Sequence, residues 1–185
     1  SWGDSLKRIT GNNYLRVGYL IRNKVALYGC HLPLDAHPRY GNNALICQAL
    51  GLKQRRRFGV YRGRKIGYRG TLPKPMRYTA FKKLVQRKIG AGLQCMDFGG
   101  NTVRSVAVVS GGAAGEVEQA GQEGIDVYLS GEPALQAYSL AQEYEVNAVF
   151  AGHYATEVFG VRALAQLLAK RFKVETEFVD LGVPF

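Results

Sequence analysis

The pattern of hydrophobic residues changes near Val103 and alternates regularly after it. Three apolar runs of similar build, "VRSVAVVSGG", "IDVYLSGE" and "VNAVFAGH", are separated by segments with helical periodicity. Each run ends in a small residue, a glycine and then a variable residue. Short apolar strands that alternate with helices of about ten residues are typical of a parallel sheet with both faces covered. We therefore predict an α/β fold with a mostly parallel sheet and crossover helices in the C-terminal half.

The patterns before Val103 are less regular. Helical periodicity predicts helices at about 13–23 and 43–50, and the apolar stretch Val25–Cys30 predicts a buried strand. One more strand is predicted close to the end of the chain, at about 176–181. Because helices in α/β units usually connect strands, an opening helix with no strand before it predicts that the sequence is a fragment or lacks a leader.

Positive charge is concentrated in one segment of the sequence. Of the 25 lysines and arginines, 14 lie between Lys53 and Lys88, and no acidic residue occurs between Asp35 and Asp97. The rest of the chain has 11 basic and 14 acidic residues, so the formal net charge of +11 belongs to this segment. Such a segment forms a solvated face or attracts phosphates and nucleic acid, and both alternatives stay open here.

The basic segment has its own predicted structure. Apolar residues broken by glycines predict two short strands around 62–64, and a following amphipathic helix has Thr79 as its cap and Gly90 as its end. We predict that residues 53–101 form a basic inserted subdomain, a strand–helix excursion from an α/β domain made of residues 1–52 and 102–185. Three tyrosines lie between the charges, as stacking residues do in nucleic-acid platforms: Tyr61, Tyr68 and Tyr78.

Composition excludes some classes of protein. No stretch approaches the roughly 20 apolar residues of a membrane span, and no signal-peptide pattern is present. The three cysteines, Cys30, Cys47 and Cys95, have no metal-type spacing, and an odd number of them favours reduced thiols. We expect a cytoplasmic protein.

The three apolar runs align at their ends. Glycines Gly111, Gly131 and Gly152 are 20 and 21 residues apart, and the next residues are Gly112, Glu132 and His153. The carboxyl ends of parallel strands meet at one edge of a sheet, where such sheets usually bind ligands. We expect Glu132 to orient a ligand or water, or to be a first-turn helix acid.

His153 and Glu157 are four residues apart, so they share one face of the helix that begins here. An imidazole and a carboxylate one turn apart can hold a divalent cation together. The alternative is a helix start at which Glu157 favours the helix dipole and His153 caps or packs.

The loop "HLPLDAHP" follows the first predicted strand and contains the other two histidines, His31 and His37, with Asp35 between them. Two strand exits that both supply histidine and acid favour a shared cation site. The alternative is a turn in which Asp35 bonds its own backbone while the histidines stay on the surface. Similarly, "SGGAAG" is either an anion-binding loop or, since it lacks the phosphate-loop spacing, a tight turn.

Four stretches, in this order, resemble the dinuclear-metal-centre proteins named GTP cyclohydrolase 1 type 2 homologues, the NIF-three-like family: "LYGCHLPLDAHPRYGNN", "SGGAAG", "YLSGE" and "AGHYATEVFGVRAL". The resemblance extends over essentially the whole chain. It implies an α/β protein assembled into a toroidal homohexamer, with two divalent metal ions per subunit, of zinc, iron, manganese or a similar element.

The resemblance also implies a ligand set. Asp35, His153 and Glu157 match the family's metal ligands, with Glu157 bridging both ions, and His31 lies close to the site as a supporting residue. The family's remaining two ligands come from an N-terminal His-His-Gly motif, and this sequence contains no His-His pair. We therefore expect the chain as given to bind one ion weakly or none, unless a preceding segment completes the site.

The function expected from the resemblance is metal-dependent hydrolysis of a nucleotide or similar phosphorylated substrate. Two other functions stay open. The chain is a DNA-associated protein linked to DNA damage or repair that binds through residues 53–88, or it is a metal-binding regulatory protein without catalysis.

Overall fold

The computed structural model describes residues 8–90 and 92–184, and the chain divides into two compact units, Ser1–Cys30 and His31–Phe185. In the first unit, helix α1 (Gly11–Arg22) confirms the predicted opening helix. The strand predicted at Val25–Cys30 is wrong, because this stretch has no regular structure and Tyr28 is 84% exposed. A strand forms when a neighbouring strand pairs with its backbone N–H and C=O groups, whatever its composition. Among the described residues of this unit, α1 is the one regular element, so the unit offers no partner strand.

The second unit contains six helices and six strands among its described residues. The helices are α2 (Leu32–Asp35), α3 (Asn42–Ala49), α4 (Tyr78–Lys88), α5 (Val117–Gln122), α6 (Leu135–Glu143) and α7 (His153–Phe172), and a 3₁₀ turn precedes α5 at Ala114–Glu116. The strands are β1 (Lys53–Tyr61), β2 (Arg64–Arg77), β3 (Gln94–Asp97), β4 (Thr102–Val108), β5 (Val127–Ser130) and β6 (Asn147–Phe150).

All six strands form one sheet in the order β1-β2-β4-β5-β6-β3. The pairs β4–β5 and β5–β6 are parallel, which confirms the predicted α/β core of the C-terminal half. The other three pairs, β1–β2, β2–β4 and β3–β6, are antiparallel. The sheet is therefore mixed, with a parallel centre between antiparallel edges.

The basic segment supplies a hairpin and a helix to this sheet. β1 and β2 pair around the turn at 62–63, as predicted, but β2 is 14 residues long and its register shifts between Thr71 and Met76. Two prolines lie at this shift, and proline cannot donate a ladder hydrogen bond. The helix begins at Tyr78 after Arg77, so the predicted Thr79 cap is wrong. Residues 53–101 contribute β1, β2 and β3 to the common sheet.

Hydrophobic side chains cover both faces of the sheet. β4 shows this alternation, since Val106 and Val108 pack on one face while Ala107 and Val109 pack on the other. Residues of α3 and α4 cover the first face, and residues of α5 and α6 cover the second. Cys47 of α3 is fully buried in the first face, and burial raises the pKa of its thiol to about 12 despite the nearby Arg55.

Two predicted stacking tyrosines belong to this core. Tyr68 is 8% exposed and Tyr78 is 5% exposed, so neither presents a ring to a nucleic acid, whereas Tyr61 is 39% exposed. The Tyr78 hydroxyl donates to Asp97 at 2.7 Å, and the Lys82 ammonium donates to the same carboxylate at 2.8 Å. Burial by itself raises the pKa of Asp97, but these two hydrogen bonds outweigh it and leave that pKa below its ordinary value.

The C-terminal tail (residues 174–184) follows α7. The strand predicted at 176–181 is wrong, because the tail has no regular structure and joins no sheet among the described residues. Side chains hold it against α7. The Tyr154 hydroxyl donates to Asp180 at 2.7 Å, and Arg162 lies 3.5 Å from the same carboxylate. Within the part of the chain that the structure describes, no helix is long and apolar enough to cross a membrane.

Candidate metal centre

The site is built on three glycines at the carboxyl ends of the parallel strands. The amide of Gly131 donates to the carbonyl of Gly111, and the amide of Gly152 donates to the carbonyl of Gly131, both at 3.0 Å. Gly111 and Gly152 have φ angles of +72° and +95°, which side chains rarely adopt. The aligned glycines therefore turn three strand ends together and leave room above them.

His153 begins α7 directly over these glycines and lies between two carboxylates. Its Nδ1 is 2.9 Å from Oε1 of Glu132, and its Nε2 is 3.2 Å from Oε1 of Glu157. His153 and Glu157 thus share one face of α7, as predicted. Glu132 precedes α6 and is therefore not a first-turn acid, and it contacts the imidazole of His153 instead.

Close packing explains why the strand ends carry glycine. A Cβ added at Gly111 would collide with Oε1 of Glu157 and lie 3.0 Å from Nε2 of His153. A Cβ added at Gly131 would lie 2.8 Å from the Cα of His153. Any side chain at either glycine would displace the imidazole or the carboxylate.

The loop after residue 30 brings in the second carboxylate. α2 is a single turn that starts with Pro33 near its beginning and ends at Asp35. Asp35 is 5% exposed, and its Oδ1 accepts a hydrogen bond of 2.6 Å from the side-chain amide of Asn42. His31 is largely exposed and its Nε2 lies 3.9 Å from Oδ2 of Asp35. Asp35 therefore does not form the Asx-type turn that was the alternative.

These two separate segments converge. Ligand atoms of His31, Asp35 and Glu157 all lie within 4.8 Å of one another, and Glu157 in turn contacts His153. The structure thus groups Asp35 and Glu157 with His31, whereas His153 joins them through its contact with Glu157, and Glu132 through its contact with His153. His37 is different, since its Nδ1 accepts hydrogen bonds from the amides of Arg39 and Tyr40 and closes a turn.

Sequence reasoning missed three polar residues that hold the site in place. Asn42 bridges Asp35 and α7, because its Oδ1 accepts a 2.6 Å hydrogen bond from the amide of Gly160. Asn43 is fully buried and its Oδ1 accepts a 2.6 Å hydrogen bond from the amide of Ser110 at the end of β4. The hydroxyl of Thr156 accepts a 3.0 Å hydrogen bond from the amide of Gly111.

The "SGGAAG" stretch begins with a tight turn at Gly111, in agreement with one of its two predicted alternatives. The amide of Gly111 is already bonded to Thr156, and its carbonyl accepts from Gly131 and Glu132. The helix that follows the 3₁₀ turn, α5, has six residues. The turn therefore anchors the start of α7 to the end of β4.

The environment of the cluster opposes a negative charge on its two carboxylates. Burial raises the pKa of Asp35 above its ordinary value, although the hydrogen bond from Asn42 and the neighbouring histidines act against this. Burial also raises the pKa of Glu157, with His153 lowering it and the carboxylate of Asp35 raising it further. A bound cation would relieve both effects at once.

The contact with Glu132 favours one orientation of the imidazole, because Nδ1 lies 2.9 Å from Oε1 of that carboxylate. A carboxylate accepts the proton on Nδ1, so in the neutral ring Nε2 carries a lone pair. That lone pair faces Oε1 of Glu157 at 3.2 Å, and two acceptors at this distance repel each other unless a proton or a cation lies between them. Imidazole nitrogen and carboxylate oxygen together suit zinc, iron and manganese ions.

Comparison with known proteins places this geometry in a family. The family model of Duf34/NIF3 (NGG1p interacting factor 3) matches residues 2–182. The protein named GTP cyclohydrolase 1 type 2 homolog from Deinococcus radiodurans is 42% identical over 181 residues, which cover 97% of this chain and 68% of that protein. The protein of the same name from Halobacterium salinarum is 40% identical over 183 residues, or 97% of this chain and 72% of that protein.

Solved structures agree with the sequence relatives. The structural-genomics protein ybgI, described as of unknown function, has a TM-score of 0.89 and 31% identity, and the match covers 100% of this chain and 73% of that one. TTHA1606 from Thermus thermophilus has a TM-score of 0.85 and 30% identity, covering 100% of this chain and 72% of that one. The predicted resemblance is confirmed, and the chain belongs to the Duf34/NIF3 family.

Proposed function

We propose that this chain binds divalent metal through Asp35, His153 and Glu157, with His31 at the rim, and contributes to metal-dependent hydrolysis of a nucleotide or similar phosphorylated substrate. Two observations carry the proposal: Asp35 and Glu157 converge with His31 within 4.8 Å from two distant segments of sequence, and Nε2 of His153 lies 3.2 Å from Glu157. The names of the relatives, GTP cyclohydrolase 1 type 2 homolog, support a nucleotide as the substrate class.

The donor chemistry supports a cation. The carboxylates of Asp35 and Glu157 lie within 4.8 Å of each other, and Nε2 of His153 lies 3.2 Å from Glu157. Burial of the two carboxylates makes an uncompensated negative charge unfavourable there. Glu132 supports His153 from behind, as carboxylates do for histidine ligands in many metal sites. Asn42 keeps Asp35 in place by its own bond to α7, so the two halves of the site do not depend on the metal for their position.

A divalent ion supplies Lewis acidity, which acidifies a water molecule and polarises an oxygen of the substrate. The residues of this chain then have separate tasks. Asp35 and Glu157 provide the charge that holds the ion, and His153 presents Nε2 in a fixed orientation. His31 is exposed at the rim, so it can exchange a proton with solvent or with a substrate.

The test is the metal content of purified Glu157→Gln protein after incubation with zinc, manganese or iron(II). Glutamine keeps the shape but loses the charge that offsets the ion, so we expect at least tenfold less bound metal than in the unsubstituted protein. The matched control is Glu143→Gln, an exposed glutamate at the end of α6. Equal metal content in both variants, measured by mass spectrometry of the elements, would refute the proposal.

The resemblance also leads us to propose a homohexamer and, where all five ligands of the family are present, two ions per subunit. Light scattering on the purified protein measures the oligomeric state, and its metal-to-protein ratio measures the number of ions. A monomer in light scattering would contradict the proposed hexamer.

A second candidate function is binding of nucleic acid through the basic segment. The observation that favours it is a groove of about 550 Å³ on the β1–β2 hairpin, in which Arg56 lies directly opposite Arg69. Arg69 is paired with Glu123 at 2.9 Å, whereas Arg56 and Lys65 have no ionic partner among the described residues. Like charges across a strand pair repel, and a phosphate between them would remove that cost.

Salt titration of duplex DNA binding tests this second function. Each phosphate contact lowers log K by about 0.9 per unit of log salt. We expect Arg56→Gln to reduce the magnitude of the slope by about 0.9, the value of one phosphate contact. The matched control is Lys170→Gln on α7, an exposed lysine that does not line the groove, and it should change the slope less. A slope near zero for the unsubstituted protein would exclude nucleic-acid binding.

A further inference from the structure

A cavity of about 410 Å³ adjoins the candidate metal centre on the outer side of α7. One of its walls belongs to α7, the opposite wall belongs to the C-terminal tail, and its polar end is the cluster already described. Tyr154 lines the α7 wall, and the other wall residues are apolar, namely Val158 and Val161 on α7 and Phe178, Val179 and Val183 on the tail. Cavities of this size that combine apolar walls with a few polar groups at one end are typical small-molecule sites.

Side-chain contacts with α7 hold the tail in position, and one of them comes from Tyr154, which also lines the cavity. Asp180 accepts a hydrogen bond from Tyr154 and also from the amide of Gly182, and it lies near Arg162. The guanidinium of Arg162 lies 4.2 Å from the centre of the Phe178 ring. Phe178 is thereby fixed as a wall of the cavity, because both its ring and the backbone that follows it have partners on α7.

The charges around the cavity restrict what it can hold. Glu132 and Glu157 line it, and among the described residues no lysine or arginine does so. Apart from an ion held by His153 and Glu157, a phosphate group would therefore meet negative charge there and no cationic side chain among the lining residues. An uncharged ring would instead bury its faces against valine and phenylalanine and direct its polar edge to the His153 end.

We propose that this cavity binds the heterocyclic base of the nucleotide substrate, with Phe178 as its stacking partner, while the phosphates lie outside it. This inference rests on the proposed function, because it takes the substrate to be a nucleotide. It adds the orientation of that substrate: the base lies beside His153 and Glu157, and the tail determines which base fits. Phe178 is a specificity residue of the site and has no contact with the metal-binding cluster in this scheme.

The test measures guanosine and adenosine binding to the purified zinc-loaded protein by calorimetry, with inorganic tripolyphosphate as the probe for phosphate alone. We expect at least one nucleoside to bind, and Phe178→Ala to weaken it by about 5- to 150-fold, the range for loss of an aromatic stacking partner. The matched control is Leu181→Ala in the same tail, since Leu181 is 74% exposed and does not line the cavity. Tripolyphosphate affinity should be equal in both variants.

A second variant changes the opposite wall of the cavity, which belongs to α7. Val161 is 44% exposed, so Val161→Asp leaves the fold intact while placing a third acid in the cavity. It should weaken nucleoside binding at least tenfold. Metal content is measured in parallel on every variant and should not change, which separates this inference from the proposed function. The cavity proposal would be overturned if no nucleoside binds, or if neither Phe178→Ala nor Val161→Asp weakens nucleoside binding. Either result would leave the metal proposal standing where Glu157→Gln has abolished metal binding.

Discussion

Gly111 offers a direct measure of how tightly the candidate centre is packed. Replacement by alanine forces a side chain into a backbone with φ of +72° and drives its Cβ into Glu157. Gly51 is a matched control, because its φ is +73° and an added Cβ would have no atom within 4 Å. Both variants incur the left-handed backbone cost of about 1–2 kcal/mol. Only Gly111→Ala adds the cost of overpacking, about 1–3 kcal/mol.

We therefore expect Gly51→Ala to lower the free energy of unfolding by about 1–2 kcal/mol and Gly111→Ala to lower it by about 2–5 kcal/mol. Urea denaturation followed by far-ultraviolet circular dichroism measures both, with a chelator present so that bound metal does not add to stability. Metal content should fall only in Gly111→Ala, because the displaced carboxylate is Glu157. Equal destabilisation of the two variants would refute the close packing that we describe around the glycines.

Three further substitutions test other contacts. Asn43→Ala removes a fully buried amide with three hydrogen-bond partners, so it should lower the free energy of unfolding, measured in urea, by about 2–4 kcal/mol. Its control is Gln48→Ala at an exposed position of the same helix, which should change that free energy by under about 0.5 kcal/mol. Similar values for both variants would contradict the structure. Glu132→Gln should weaken zinc affinity about 10- to 100-fold in a chelator competition assay, because it removes the charge behind His153, and an unchanged affinity would exclude that role. The pKa of Asp97 is lowered on folding, so its carboxylate stabilises the fold above the ordinary aspartate pKa of about 3.9 and loses this contribution as pH falls through the lowered pKa. Asp97→Asn should thus lower the free energy of unfolding by under about 1 kcal/mol at pH 7, since the carboxylate is half exposed, and by less at pH 3. An effect of the substitution on that free energy that is the same at both pH values would contradict this.

Local spacing was enough to predict one half of the site. His153 and Glu157 are one helical turn apart, and the strand ends that carry Glu132 and His153 were visible as repeated apolar runs. Such signals lie within a few residues of one another. They fix the shared face of a helix and the shared edge of a parallel sheet before any long-range contact is known.

The supporting half of the site could not be predicted in this way. Asn42 and Asn43 follow a glycine and are typical of a turn, yet their partners Gly160 and Ser110 are 118 and 67 residues away in the chain. No local pattern encodes contacts of that range. Their burial is visible only once α3 lies against α7 and the end of β4.

The wrong strands have a related cause. The stretches 25–30 and 176–181 have the composition of buried strands, but a strand also needs a hydrogen-bonded neighbour, and apolar composition does not reveal whether one is present. β3 was missed for the opposite reason. It has four residues with no clear alternation and becomes a strand because β6 pairs with it. Pairing therefore decides these elements more than composition does.

The burial of Cys47 provides a way to measure local opening of the fold. A thiol with a pKa of about 12 and no exposed surface reacts with alkylating reagents only when helix α3 detaches from the sheet. The same helix begins with Asn42, which donates to the carboxylate of Asp35, and Asn43, which donates to the backbone carbonyl of Asp35. The alkylation rate at Cys47 in the native protein therefore reports how often the scaffold behind the candidate centre opens.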